Sequence, residues 1–209
     1  MYRIFIGSLL LSTIHAMIPN HWLPLIAVGK TEKWSGSRTL WATVITGVAH
    51  TLSTILVGIV VGIIGYKLSA RYSLIPDRVA PAILAGLGLI YLLLDLRSHR
   101  HHHDIKPVAA TGNKPGWAVI LATLSLAMFL TPCIEIEAFY FQAGTIGWIG
   151  IFIVSAVYLV TTLAVMLLLV SLGMKGARKY NPGFLEHHDK AVTGAVLVGL
   201  GILGMGIFG

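Results

Sequence analysis

Charged residues are scarce in this chain of 209 residues. Asp, Glu, Lys and Arg together make up only 11% of it, whereas 56% is hydrophobic and the mean hydropathy is +0.83. A water-exposed surface cannot be built from so few charges. The composition therefore excludes a soluble enzyme and predicts an integral membrane protein.

Cysteine is almost absent, because Cys133 is the single one in the chain. One cysteine excludes an internal disulfide and any dithiol chemistry within one chain. The sequence also lacks the Gly-x-x-x-x-Gly-Lys pattern of nucleotide-binding loops. Transport by such a chain would therefore need an ion gradient or a partner as its energy source.

What the chain has instead is long apolar runs. Six of them are long enough to cross about 30 Å of hydrocarbon, namely 3–29, 39–66, 79–96, 117–143, 147–172 and 190–208. They use nearly the whole chain, so we expect a single all-α membrane domain over 1–209 with six transmembrane helices. The first sixteen residues could also be read as a cleaved signal peptide, but the apolar run continues to Leu25 without a clean cleavage site.

The basic residues are distributed unevenly between the loops. Eleven of the fifteen Lys and Arg residues fall after the first, third and fifth runs. By the positive-inside rule these loops are cytoplasmic and both termini lie outside. We expect a multi-pass protein of the bacterial inner membrane.

Two prolines suggest an internal repeat. Pro19 and Pro132 lie inside the first and fourth runs, 113 residues apart, and the same offset relates the second and third runs to the fifth and sixth. Each proline removes a backbone hydrogen bond and breaks its helix in mid-membrane. The pattern predicts a 3+3 inverted repeat, with half-repeats 1–96 and 117–209 joined by a cytoplasmic loop 97–116, and a substrate site near the two broken helices. Two ordinary proline kinks are the alternative.

Ionisable side chains inside apolar runs are costly and usually mark a site. His15 lies twelve residues into the first run and His50 eleven into the second, so both lie about 16–18 Å deep. A continuous helix would point His15 and His21 about 120° apart, whereas a break at Pro19 lets the chain turn between them. Neutral imidazoles suit nickel, cobalt, copper and zinc, so these three histidines predict a metal site. Histidines that only pack and hydrogen-bond are the alternative.

The histidine motifs resemble those of known metal carriers. The stretch His15-Ala16-Met17-Ile18-Pro19-Asn20-His21 resembles the His-Ala-x-x-x-Asp-His signature of nickel/cobalt permeases. It also resembles the His-Ala-x-x-Pro-Gly-His variant of NicO and RcnA-type proteins. Ala49-His50-Thr51 with Ser53 is similar to the second-helix His-Thr pattern of the NicO and RcnA-type proteins. The resemblance implies a transition-metal transporter. Its broad LysE-like superfamily also holds sulfite and organic-anion exporters and CcdA-type thiol carriers, but thiol carriers need one cysteine in each half.

The second broken helix offers negative charge. Asn20 stands where the permeases have Asp, so one anionic ligand is missing, and Cys133, Glu135 or Glu137 would supply it. Solvated carboxylates at the outer mouth are the alternative for Glu135 and Glu137. The candidate metal residues are therefore His15, Asn20, His21, His50, Cys133, Glu135 and Glu137.

The loop between the third and fourth runs is rich in histidine. A cluster of histidines with a carboxylate is a compositional signal for metal binding, although a plain solvated loop has the same composition. His187, His188 and Asp189 precede the sixth run on the same face. We expect peripheral capture of cytoplasmic metal by His99, His101, His102, His103 and Asp104.

The leading hypothesis is a secondary transporter of a divalent transition-metal cation, with efflux in exchange for protons through the same histidines. Nickel and cobalt come first, and zinc, iron and manganese are alternatives. The expected partners are the metal ion, protons and the lipid bilayer, with a homodimer compatible and no nucleic acid. A small-anion, sulfite-like exporter of the same architecture and a membrane accessory protein that donates metal remain alternative functions.

Overall fold

The structure, a computed structural model, describes residues 1–70 and 116–176 together with short helical stretches within 82–93 and 194–202. These residues are helical and contain no strand, which confirms the all-α class for this part of the chain. The named helices are α1 (Tyr2–Met17), α2 (Pro19–Thr31), α3 (Gly36–Ser69), α4 (Trp117–Phe129), α5 (Glu137–Ile146) and α6 (Trp148–Gly176).

Three helical segments of the described chain are long and apolar enough to cross a membrane. They are Ile4–Thr31, Gly36–Ser69 and Trp148–Lys175, and the shorter apolar helix α4 accompanies them. They match the first, second and fifth expected spans. The third and sixth spans lie mostly outside the described residues, so six crossings and the inverted repeat stay predictions.

The first expected span is broken at Pro19. Only Ile18 separates α1 from α2, and its backbone is extended, with φ −63° and ψ 130°. Proline is suited to the first turn of α2 because its missing N–H would have no helical partner there. The carbonyls near the break find other donors: the Ile18 N–H donates to His15 O, and the Trp22 indole donates to Met17 O at 3.1 Å.

The fourth expected span, 117–143, is not one kinked helix. α4 ends at Phe129, residues 130–136 form a non-helical connection, and α5 begins at Glu137. Pro132 lies in the middle of this connection, where it cannot donate the hydrogen bond that a helix would need. Gly147, with φ +105°, then separates α5 from α6, a conformation that L side chains rarely adopt.

Helix α3 lies between the two breaks and packs closely against α5. Gly58, Gly62 and Gly65 share one face of α3, and Gly62 contacts the backbone of Gly144. A side chain at Gly58 or Gly65 would overlap α5, and one at Gly62 would overlap Ile151 of α6, so the glycines allow the backbones of α3 and α5 to touch. The short helix α5 is thereby fixed against α3, and the connection 130–136 that precedes it is held beside the middle of α3.

The distribution of polar and apolar side chains is the reverse of that in a water-soluble protein. Thr43, Thr46 and Thr51 on α3 are fully buried, whereas large apolar side chains such as Trp41 and Phe152 are more than half exposed. The buried threonines donate to carbonyls of their own helix, which satisfies their hydroxyl hydrogens. This arrangement fits a chain whose surroundings are lipid.

Candidate metal centre

Four metal-ligating side chains converge where the two helix breaks meet α3. We call them the His/Cys cluster: His15, His21, His50 and Cys133. One ligand atom from each lies within 4.8 Å of the corresponding atom of every other, and all four side chains are buried. His15 comes from the end of α1, His21 from the first turn of α2, His50 from the middle of α3 and Cys133 from the connection 130–136.

The break at Pro19 brings His15 and His21 together. Their ring centroids lie 4.4 Å apart, although a continuous helix would place residues six apart about 9 Å from each other along its axis. The His50 ring lies 4.8 Å from that of His21 and 6.3 Å from that of His15, to which it is nearly parallel. The three imidazoles therefore surround one small volume.

Cys133 lies between two of these histidines. Its Sγ is 2.7 Å from His15 Nε2 and 2.9 Å from His50 Nε2. A single thiol hydrogen can be donated to only one of the two nitrogens. A metal ion that replaces this hydrogen can bind the sulfur and both nitrogens at once.

The second break also fixes the tautomer of His50. Its Nδ1 lies 3.2 Å from Met128 O, and because a carbonyl only accepts hydrogen bonds, Nδ1 must be the donor. The lone pair of the neutral ring is then on Nε2, which faces the cluster. In a helix Met128 O would accept from the residue four positions later, which is Pro132 and has no N–H. The proline thus leaves this carbonyl without its α-helical donor. It accepts from the N–H and hydroxyl of Thr131 and from His50, whose ring it orients, as outer hydrogen bonds do in many metal sites.

Cys133 is held in place through its backbone. Its N–H donates to Thr54 Oγ1 at 3.0 Å, and the Thr54 hydroxyl donates to His50 O one turn earlier in α3. The Tyr158 hydroxyl on α6 lies 3.5 Å from the same Thr54 oxygen. These contacts connect the second break to the same turn of α3 that carries His50.

Two carboxylates accompany the cluster. Glu135 and Glu137 are only 7% and 8% exposed, which does not fit solvated groups at an outer mouth. Glu135 Oε2 lies 4.0 Å from His15 Nδ1, a nitrogen without a hydrogen-bond partner among the described residues. Glu137 lies in the first turn of α5, where the helix dipole favours a negative charge. Glu135 is therefore placed to balance the charge of a bound cation.

The remaining candidates are not brought into the cluster. Asn20 is exposed although its neighbours Pro19 and His21 are buried. The residues expected to capture metal in the loop lie outside the described residues, and so do those that precede the sixth run: His99, His101, His102, His103, Asp104, His187, His188 and Asp189.

Sequence reasoning missed Met128 and Thr54. The signal for Met128 was present, since it is the residue whose helical partner is Pro132. Nothing in the sequence singles out Thr54 from the other hydroxyls of α3.

Three imidazole nitrogens and one sulfur can hold a transition-metal ion. These donors suit zinc, nickel, cobalt and copper, whereas magnesium and calcium prefer oxygen. Tetrahedral ligand atoms around such an ion, at about 2.0–2.3 Å from it, lie about 3.3–3.6 Å apart, so small side-chain adjustments suffice. Comparison of the chain with protein-family models, with curated proteins and with solved structures finds no match in any of the three.

Proposed function

We propose that this chain is a secondary transporter that moves a divalent transition-metal cation across the membrane, outward and in exchange for protons. The observation that carries the proposal is the His/Cys cluster itself, four candidate ligands buried among apolar helices, three of them at the two helix breaks and His50 in the middle of α3. Buried ionisable groups in membrane helices are usually retained for substrate or ion pathways. Nickel and cobalt are the first candidate substrates, and the sulfur ligand makes zinc and copper candidates as well.

The placement of the ligands at the breaks favours transport over a static metal site. An ion bound by side chains that are at least 94% buried can leave only if part of the surrounding structure moves. Broken helices are the usual position of substrate sites in transporters, because the free chain ends can turn without disturbing whole spans. The exchange of protons follows from ligand chemistry, since imidazole and thiolate donors take up protons when the metal leaves.

A small-anion exporter of the same architecture is less well supported. Among the described residues, none of the buried polar side chains is Lys or Arg. The imidazole nitrogens and the sulfur of the His/Cys cluster offer lone pairs, which attract a cation and repel an anion. An accessory protein that donates metal would use the same cluster, so only a flux measurement separates that function from transport.

Transport by purified protein in proteoliposomes tests the proposal. Nickel, cobalt, zinc, copper and manganese are compared with magnesium and sulfite, under pH gradients of both directions. We expect flux of one or more transition metals, accelerated when the receiving side is acidic, and none of sulfite. Metal binding without flux would favour the accessory function, and sulfite flux would favour the exporter.

Variants of the cluster identify the site. His15→Ala, His21→Ala, His50→Ala and Cys133→Ser should each lower flux at least about tenfold, because even outer-shell changes weaken metal sites by that factor. Met17→Ala and Ile134→Ala are matched controls, because both side chains are exposed neighbours of cluster residues. Equal folded protein in the membrane is checked by size-exclusion chromatography. Wild-type flux in all four cluster variants would reject the site.

A further inference from the structure

A second site lies at the end of the helices, where α2 passes into α3. A cavity of about 310 Å³ opens there between the last turn of α2, the first turn of α3 and α6. None of the His/Cys cluster residues lines it. Its walls divide into a cationic part and an apolar part, which together indicate what it binds.

The cationic part is formed by Lys30 and Lys33. Both side chains are exposed, and neither pairs with a carboxylate in residues 1–70 and 116–176. Lys33 follows α2 in the left-handed conformation, φ 54°, with its N–H bonded to Lys30 O. This tight turn places two positive charges three residues apart at one cavity, and a divalent cation would be repelled there.

The first turn of α3 contributes hydrogen-bond donors to the same cavity. Gly36 lines it, and a Cβ on Gly36 would meet no atom within 4 Å, so the space beside this backbone is open. The first N–H groups of a helix have no acceptor within it, and Ser35 caps only the N–H of Arg38. Free backbone N–H groups beside two lysines suit a phosphate group.

The apolar part is formed by Ile26, Trp34 and Met174. Ile26 and Met174 line the cavity from within two of the membrane-crossing helices, and Trp34 lies beside the lysines with its ring 6.3 Å from that of Trp117. Tryptophan and lysine at the ends of spans are typical of the headgroup level of a bilayer. The cavity therefore has a charged end at the surface and an apolar wall toward the acyl chains.

We infer that this cavity binds the phosphate group of an anionic phospholipid, with Lys30, Lys33 and the start of α3 as its contacts and with the acyl chains beside Met174. The basic loops assign this face to the cytoplasm. The inference is independent of the proposed transport of metal, because it uses no residue of the His/Cys cluster.

Lipid binding to the full-length protein in non-ionic detergent tests the inference. Short-chain phosphatidylglycerol, phosphatidylcholine and inorganic phosphate are titrated separately, and binding is followed by native mass spectrometry and by thermal unfolding. A lysine near an anionic group contributes about 1 kcal/mol, so Lys30→Gln and Lys33→Gln should each weaken phosphatidylglycerol binding about fivefold, and the double variant about thirtyfold. Phosphatidylcholine binding should not change.

Two controls separate a specific cavity from a general effect of charge. Lys67→Gln removes an exposed lysine at the opposite end of α3, outside the cavity, and should leave binding unchanged. Lys33→Gly removes the charge while favouring the same left-handed turn, and should weaken binding as Lys33→Gln does. An equal loss in Lys67→Gln, or no loss in the double variant, would overturn the inference. Inorganic phosphate that binds as tightly as phosphatidylglycerol would make this a free-anion site and overturn the lipid assignment.

Discussion

Replacing Glu135 with Gln should weaken metal binding about thirtyfold. Glu135 Oε2 lies 4.0 Å from His15 Nδ1, on the side of the ring away from Cys133. An imidazole measures about 2.2 Å between its nitrogens and a metal–nitrogen bond adds about 2.1 Å, so an ion on Nε2 would lie at most about 8 Å from the carboxylate. A divalent ion bound to one thiolate carries one net positive charge. At an effective dielectric constant of about 20 its attraction to Glu135 is about 2 kcal/mol, or about thirtyfold in Kd.

Isothermal calorimetry on the detergent-solubilised protein, at fixed pH and ionic strength, measures this change. Glu32→Gln makes the same chemical substitution at an exposed position at the end of α2 and should leave Kd unchanged. Equal affinities in Glu135→Gln, Glu32→Gln and wild type would refute the charge-balancing role. A loss beyond about a thousandfold would also contradict it, because it would make Glu135 a direct ligand of the metal.

Four further predictions concern other parts of the molecule. Metal affinity should fall as the pH is lowered, because imidazole and thiolate ligands bind metal only when unprotonated, and calorimetry in buffers of different ionisation enthalpy should count at least one proton taken up per metal released; a pH-independent affinity would rule out this ligand set. Gly144→Ala should destabilise the protein by about 2–3 kcal/mol in thermal or denaturant unfolding, since its Cβ would overlap the backbone of Gly62, whereas Gly116→Ala meets open space and should have no such effect. Asn20→Ala should retain flux within about twofold of wild type, because Asn20 is exposed; a loss like that of the histidine variants would return it to the site. Replacing the four loop histidines His99, His101, His102 and His103 with Ser should raise the metal concentration needed for half-maximal flux and leave maximal flux intact. A loss of maximal flux would instead make the loop part of the transport path.

Much of the described fold could be predicted from apolar runs and prolines. A proline inside a long apolar run kinks or breaks the helix, so the breaks near Pro19 and Pro132 were foreseeable. The extent of the second break was not, because Pro132 marks where a helix is interrupted but no residue after it marks where α5 begins. Their path depends on the contact of α5 with α3, and that contact depends on small residues such as Gly62 and Gly144, whose partners no local pattern reveals.

The site could be predicted in part, for a related reason. Depth along a helix follows from counting residues, so His15 and His50 could be placed at one level before their distance was known. The direction in which a side chain points after a helix break cannot be found by counting residues. Asn20 follows the break directly and turns outward, whereas Cys133, in the other break, turns inward because Thr54 accepts its backbone N–H.

The single extended residue between α1 and α2 has a consequence for how tightly an ion is held. Of the four cluster ligands, α2 carries only His21, and it is joined to α1 through Ile18 alone. A rotation of the Ile18 backbone that tilts α2 would therefore withdraw one donor and leave His15, His50 and Cys133 in place. The ion would pass from four protein ligands to three with an open coordination position, where water can enter. Coordination number, rather than the chemistry of the ligands, would then set how long the ion stays.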